Sequence, residues 1–105
     1  MLFEATDPEG RKVRLARERF ENHIVAEHGE LKNAVEKLKR TIENPDCIYV
    51  KGTSRRRLYY RKSGRLYLLV VVRPEKTRNR GHVITAYRCK TISGGGELEW
   101  LKPRR

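Results

Sequence analysis

Two histidines stand five residues apart in Arg19-Phe20-Glu21-Asn22-His23-Ile24-Val25-Ala26-Glu27-His28-Gly29-Glu30-Leu31, and a later run reads Val83-Ile84-Thr85-Ala86-Tyr87. Imidazole exchanges protons near neutral pH, and a neighbouring phenol or hydroxyl can donate or position one. A reaction within reach of this set is attack of an RNA 2′-hydroxyl on the adjoining phosphate. It needs a base, an acid and cations for the developing charge. His23, His28, Thr85 and Tyr87 are therefore the candidate catalytic residues. Each also has a structural reading. His23 lies one turn from Arg19 and from Glu27, as in a solvated charge ladder. His28 shares the face of Phe20 and Ile24 near a helix end that favours a cation. Thr and Tyr are good strand formers. On a regular helix the two histidines point about 140° apart, so they meet at one spot only if the helix unwinds at Gly29.

The charge of the chain points the same way. Lys and Arg number 25 against 13 Asp and Glu, a formal net charge of +12, and 16 of the cations are Arg. Arg suits bidentate phosphate contact and stacking on bases, so a polyanion is the expected partner; the alternative is charge that serves solubility. Arg55-Arg56-Arg57-Leu58-Tyr59-Tyr60-Arg61-Lys62 interleaves cations with aromatics, the pattern of single-stranded RNA binding. Arg19, Arg55, Arg56, Arg57, Tyr59, Tyr60 and Arg61 are the candidate RNA-binding residues. Strand alternation puts Arg57, Tyr59 and Arg61 on one face and Leu58, Tyr60 and Lys62 on the other. The competing reading is an edge strand guarded against aggregation by its charges.

Metal and cofactor chemistry finds little support. There is no carboxylate cluster, no Cys-x-x-Cys, and His-x4-His is not the i, i+4 spacing that aims two ligands at one ion. Gly94-Gly95-Gly96 lacks the Lys-Ser/Thr of a nucleotide cradle. The expectation is neither metal nor cofactor.

The elements follow from periodicity. Leu2–Thr6 and Lys12–Leu15 alternate around Asp7-Pro8-Glu9-Gly10, a β-hairpin. Residues 17–28 read as a helix on Phe20, Ile24 and His28, with a stop at Gly29. A second helix runs from Glu30 to Glu43 on Leu31, Ala34, Val35, Leu38 and Ile42, ending at Asn44-Pro45-Asp46. The period then becomes two: strands at Cys47–Val50, Leu58–Lys62, Leu66–Arg73 and His82–Arg88. Leu66–Arg73 is nearly all apolar and should be central, buried on both faces. In the last strand, Ile84 and Ala86 should pack beneath the helices, leaving Thr85 and Tyr87 opposite. Ser93-Gly94-Gly95-Gly96 reads as a flexible break. Glu97–Leu101 adds an edge strand before the basic tail Pro103-Arg104-Arg105. The expected architecture is one α+β domain over residues 1–105. A hairpin and two helices pack on one face of a twisted antiparallel sheet of about four strands.

Cys47 and Cys89 fall on separate strands and read as apolar fillers in a reducing compartment, or as one disulfide in an oxidising one. No leader and no membrane-length apolar run is evident, so the cytoplasm is expected.

Several separated blocks together resemble a known group. Arg19-Phe20-Glu21-Asn22-His23-Ile24, His28-Gly29-Glu30-Leu31, Ile42-Glu43-Asn44-Pro45-Asp46, Tyr59-Tyr60, Leu69-Val70-Val71-Val72 and Val83-Ile84-Thr85-Ala86-Tyr87 occur in an order similar to small phage and mobile-element proteins. Those belong to the barnase, EndoU, colicin and RelE-like nuclease superfold. The resemblance implies a RelE- or barnase-like fold and metal-independent cleavage of RNA (tRNA, rRNA or mRNA), in a toxin-like setting. An acidic antitoxin or immunity protein is the implied protein partner. It carries over to Arg19, His23, His28, Thr85 and Tyr87 as site residues. Many such proteins have His-Pro-Glu where this chain has His28-Gly29-Glu30, which changes the helix end. A non-catalytic RNA-binding module and a mobile-element interaction protein remain the alternatives.

Overall fold

The structure is a computed structural model that describes residues 1–77, 79–92 and 94–103. Ser93 of the glycine-rich break and Arg104-Arg105 of the basic tail lie outside the described residues.

Alternation builds the N-terminal hairpin, β1 (Phe3–Thr6) and β2 (Lys12–Leu15), with Phe3, Ala5, Val13 and Leu15 buried on one side. Five further strands follow: β3 (Cys47–Lys51), β4 (Arg56–Ser63), β5 (Leu66–Pro74), β6 (Arg80–Cys89) and β7 (Glu97–Leu101). All seven form one sheet in the order β1-β2-β6-β5-β4-β3-β7. β5 is the middle strand, and Leu68 to Val72 are buried on both of its faces, as their unbroken apolar run dictates.

This corrects the expected sheet of about four antiparallel strands. The hairpin does not pack on the sheet but extends it, because Lys12–Arg14 pair in parallel with Arg80–His82 at the start of β6. At the other edge β7 pairs antiparallel with β3. Alternation identifies a strand, but the backbone edge it finds depends on the rest of the chain.

The helices are shorter and less regular than their periodicity predicts. Residues 17–27 form a helix with a wide turn at Phe20–Ile24, where the Val25 N–H donates to the Phe20 carbonyl five residues back. Both Phe20 and Ile24 are thereby buried. His28 leaves the helix (φ −134°, ψ 70°), and a tight turn at Gly29–Leu31 carries Leu31 into the core. The second helix starts only at Val35 and runs to Glu43. Leu38 and Ile42 seal it to the sheet, each contributing about 1.5–3 kcal/mol by burial.

Both helices cover the same sheet face, where Phe20, Ile24, Leu31, Leu38 and Ile42 join Ile48, Tyr59, Leu68, Val70, Val72, Val83 and Ala86. Among the described residues the opposite face carries no helix. Its smaller cluster is Cys47, Leu58, Tyr60, Leu69 and Val71, flanked by Tyr49, Tyr67, Ile84, Tyr87 and Cys89. Among the described residues no helix is long and apolar enough to cross a membrane.

Candidate nucleic-acid interface

The helix-free face owes its chemistry to a bulge. Val71 pairs with Thr85 but Val72 pairs with Val83, so Ile84 is an extra residue in β6. Val83 and Ala86 consequently belong to the helix-side core. Ile84 and Tyr87 pack on the open face, and Thr85 lines a cleft there. The expectation that Ile84 packs beneath the helices is thus corrected, while Thr85 and Tyr87 do lie opposite them.

β2 pairs with β6 only as far as His82, so the remainder of β6 borders the N-terminal helix without a strand between them. There the departure of His28 from helical geometry matters. Its ring stacks on the Tyr87 ring with centroids 5.5 Å apart and planes 29° off parallel. A histidine from the helix side and a tyrosine from the open face therefore meet at β6. His23 stays on the helix, half-exposed, with Nε2 3.4 Å from Glu27 Oε1, and does not join the pair.

Beside Tyr87 lies a cleft of about 400 Å³. Leu58, Leu69 and Val71 floor it, and Thr85, Tyr87, Thr53 and Ser54 place hydroxyl-bearing side chains on its walls. Lys51 and Arg56 supply cations at the β3–β4 turn. Arg55 in that turn has φ 53°, a left-handed conformation that costs an arginine about 1–3 kcal/mol. The far wall is Gly94. Its N–H donates to the Tyr60 hydroxyl at 3.2 Å, and a Cβ there would come within 2.5 Å of that oxygen. This part of the expected flexible break is therefore held against the sheet. Burial raises the Tyr60 pKa against the opposing pull of the Gly94 N–H, so the phenol stays protonated at neutral pH.

The structure separates the other candidates. Arg56 lines the cleft, whereas Arg57, one residue on, is buried on the helix side. Tyr59 and Tyr60 are 0% and 1% exposed, which leaves neither ring a face for a base. Arg61 donates to the Asn44 carbonyl at 2.6 Å, beside the second helix. Arg19 is exposed and borders a different groove with Arg14 and His82. Lys51, missed by sequence reasoning, had no signal beyond its charge.

A second, larger cleft of about 790 Å³ lies beside the hairpin turn. Arg11, Arg55, Arg57 and Lys76 line it, but so do Glu9, Glu75 and Glu99, so its walls carry no strong charge of one sign. Its buried part is a network. Asp7 accepts from Arg11 Nε at 2.8 Å and from the Tyr59 hydroxyl at 2.5 Å; Arg11 also donates to Glu99 at 2.8 Å. Burial opposes the Arg11 charge, yet these carboxylates outweigh it and raise its pKa. Burial and the nearby Arg11 lower that of Arg57. Such a network fixes structure more readily than it performs chemistry.

Among the described residues no three His, Cys, Asp or Glu converge as metal ligands. Cys47 and Cys89 are free thiols. No protein-family model matches the chain, and no curated protein or solved structure does.

Proposed function

We propose that this protein is an endoribonuclease that takes single-stranded RNA on the open face of its sheet. The observation that carries the reading is the His28–Tyr87 stack beside a cleft with an apolar floor and two cations. The floor suits an unstacked base, and Lys51 and Arg56 suit its phosphates. His28 takes the proton of the 2′-hydroxyl as its oxygen attacks phosphorus. Tyr87 gives a proton to the departing 5′-oxygen, and Thr85 positions the phosphate. The products are a 2′,3′-cyclic phosphate and a free 5′-hydroxyl. Base, acid and cations all come from side chains, so the reaction proceeds without added divalent metal. Of the candidate arginines in the basic and aromatic run, Arg56 is the one that joins Lys51 at this cleft, while Arg57 is buried on the helix side and Arg61 is turned to the Asn44 carbonyl.

The block resemblance to the barnase, EndoU, colicin and RelE-like superfold supports the same reading, as does the net charge of +12. We place the protein in the cytoplasm, acting on tRNA, rRNA or mRNA in a toxin-like role. An acidic inhibitor protein would cover the same basic face.

The test is incubation with total tRNA and rRNA in EDTA. The expected result is discrete fragments with cyclic phosphate ends. His28→Ala lowers the rate about 10²–10⁴-fold, the usual worth of a general acid or base. Tyr87→Phe lowers it too, and His23→Ala leaves it intact. RNA that is bound but never cut would leave a binding module, and RNA neither bound nor cut would remove the reading altogether.

A further inference from the structure

A third cleft, of about 190 Å³, opens between the second helix and the end of β4. Lys37, Arg40, Arg61 and Lys62 line it, together with Ser63, Thr41 and Leu68. Among the described residues it has no carboxylate in its wall, in contrast to the larger cleft beside the hairpin turn. Three of these cations, Lys37, Arg40 and Arg61, from two elements, thus face one small volume, while Lys62 borders it at the strand and sends its ammonium to the open face. Their mutual repulsion is unfavourable unless an anion occupies the space between them.

Helix geometry and one tether bring the cations together. Lys37 and Arg40 are one helical turn apart and so project from the same side of the helix. Arg61 is tethered through Nη1 to the Asn44 carbonyl just past the helix end, which orients its guanidinium. The backbone N–H of Lys62 donates to Asp46 Oδ2 at 2.7 Å; Asp46 holds the strand in place and does not line the cleft. The Thr41 hydroxyl turns back to the Lys37 carbonyl at 2.7 Å, leaving the cations and Ser63 as the groups that can face a ligand. The volume suits one tetrahedral oxyanion with its waters.

β4 links this cleft to the open face. Lys62 lies on the same side of β4 as Tyr60 and Leu58, and its ammonium sits 5.5 Å from the centre of the Tyr67 ring there. A strand lying on the open face can therefore leave past Tyr67 and Lys62 and turn toward the helix side. We propose that the Lys37/Arg40/Arg61 cleft holds a backbone phosphate of the same RNA, some nucleotides away from the cut. This rests on the proposed RNA chemistry of the open face. It makes recognition two-point: a base and phosphate in the Tyr87 cleft, and a distant phosphate here. Short substrates reach only the first point.

The experiment compares 2′-O-methyl RNA of 4 and 20 nucleotides, which cannot be cut, in binding to the wild type and to Lys37→Gln/Arg40→Gln. Both residues are exposed, so the fold survives the change. The 20-mer is expected to bind the variant about tenfold more weakly at low salt. Its plot of log affinity against log salt loses about 0.7 in slope per phosphate contact removed. The 4-mer binds both proteins alike. Arg61→Gln repeats the pattern, and Lys12→Gln/Lys76→Gln, with equal charge loss elsewhere, does not. An unchanged 20-mer, or an equal loss for the 4-mer or the control variant, overturns the inference while leaving the open-face reading standing. A wild type that binds neither length overturns both.

Discussion

The Tyr59 hydroxyl donates to Asp7 Oδ2 at 2.5 Å, joining the middle of the sheet to the turn of the edge hairpin 52 residues earlier. The same carboxylate accepts from Arg11, and Arg11 reaches Glu99 on β7, the opposite edge strand. One buried network therefore ties the two edges of a seven-stranded sheet together over Tyr59. Bulges in β6 and at the β3–β7 pairing give the sheet the bend this needs.

Stability should consequently fall in alkali. Burial first, and then the Asp7 charge, raise the Tyr59 pKa above its ordinary value of 10.0. Below that pH both folded and unfolded chains hold the proton, and the contribution is fully present. As pH rises past about 10 the unfolded chain releases it while the folded protein must keep it, so stability is lost. Urea midpoints between pH 7 and 11 should fall steeply at the upper end, and less steeply in Tyr59→Phe. At pH 7 that variant should lose about 1.5–3 kcal/mol, the worth of a hydrogen bond to a charged group. Parallel curves for the two proteins would assign the alkaline loss to other groups.

Arg11→Ala should cost about 3–5 kcal/mol, because it strands Asp7 as a buried carboxylate. Glu99→Gln should cost less, since Glu99 retains more contact with water and its amide still accepts from Arg11. Thermal denaturation of the two variants checks the order; equal shifts would mean that the link to β7, and not Asp7, dominates.

Much of this fold was legible in the residues. The alternation of Phe3–Thr6 and Lys12–Leu15 marks a hairpin, the apolar run in β5 marks the central strand, and Leu38 and Ile42 mark the helical face toward the core; Leu31 and Ala34 were legible as core residues but lie before the helix, not on it. Strand partners were not legible. Nothing local in Lys12-Val13-Arg14 specifies a parallel ladder with Arg80-Gly81-His82, and a single bulged residue, Ile84, reverses the side on which Val83 lies. Of the proposed site, the placement of Thr85 and Tyr87 opposite the helices was readable from their alternation with Ala86. The approach of His28 to Tyr87 was not, because it needs both the end of the helix and the end of β2. Tyr59 and Tyr60 misled because an aromatic beside arginines is equally at home in a core.

The glycine segment should be intolerant where chain meets chain. A Cβ at Gly96, already at φ +90°, would collide with the Val50 carbonyl. Gly10 has a similar φ of +83° but open space around it. Gly10→Ala should cost about 1–2 kcal/mol from backbone strain alone. Gly96→Ala should exceed that by about 1–3 kcal/mol from overpacking and loosen β7. Denaturant midpoints and amide exchange in β7 report both effects; equal costs would mean the Val50 strand yields freely.

The two thiols should separate by reactivity. Burial, then the charge of Asp46, pushes the Cys47 thiol up to about 11, while Cys89 is only half-buried. At pH 8 a disulfide reagent should modify Cys89 first and reach Cys47 only as the protein unfolds. Simultaneous modification under native conditions would mean that the face around Cys47 opens.

Adjacent arginines give the sharpest division between binding and structure. Arg56 and Arg57 differ by one position in β4, so their side chains leave opposite faces of the sheet. Arg56 lines the open-face cleft, and Arg57 lies buried with its Nε 3.9 Å from Glu99 Oε2. Arg56→Ala should weaken RNA binding, lower the salt slope by about 0.7 and leave the melting temperature nearly unchanged. Arg57→Ala should do the reverse, destabilising the fold while RNA affinity below the melting range stays within a few fold. Calorimetry and a salt titration on both variants separate the outcomes. If the two behave alike in binding, RNA engages the hairpin end of the sheet rather than its open face, and His28 and Tyr87 lose their substrate.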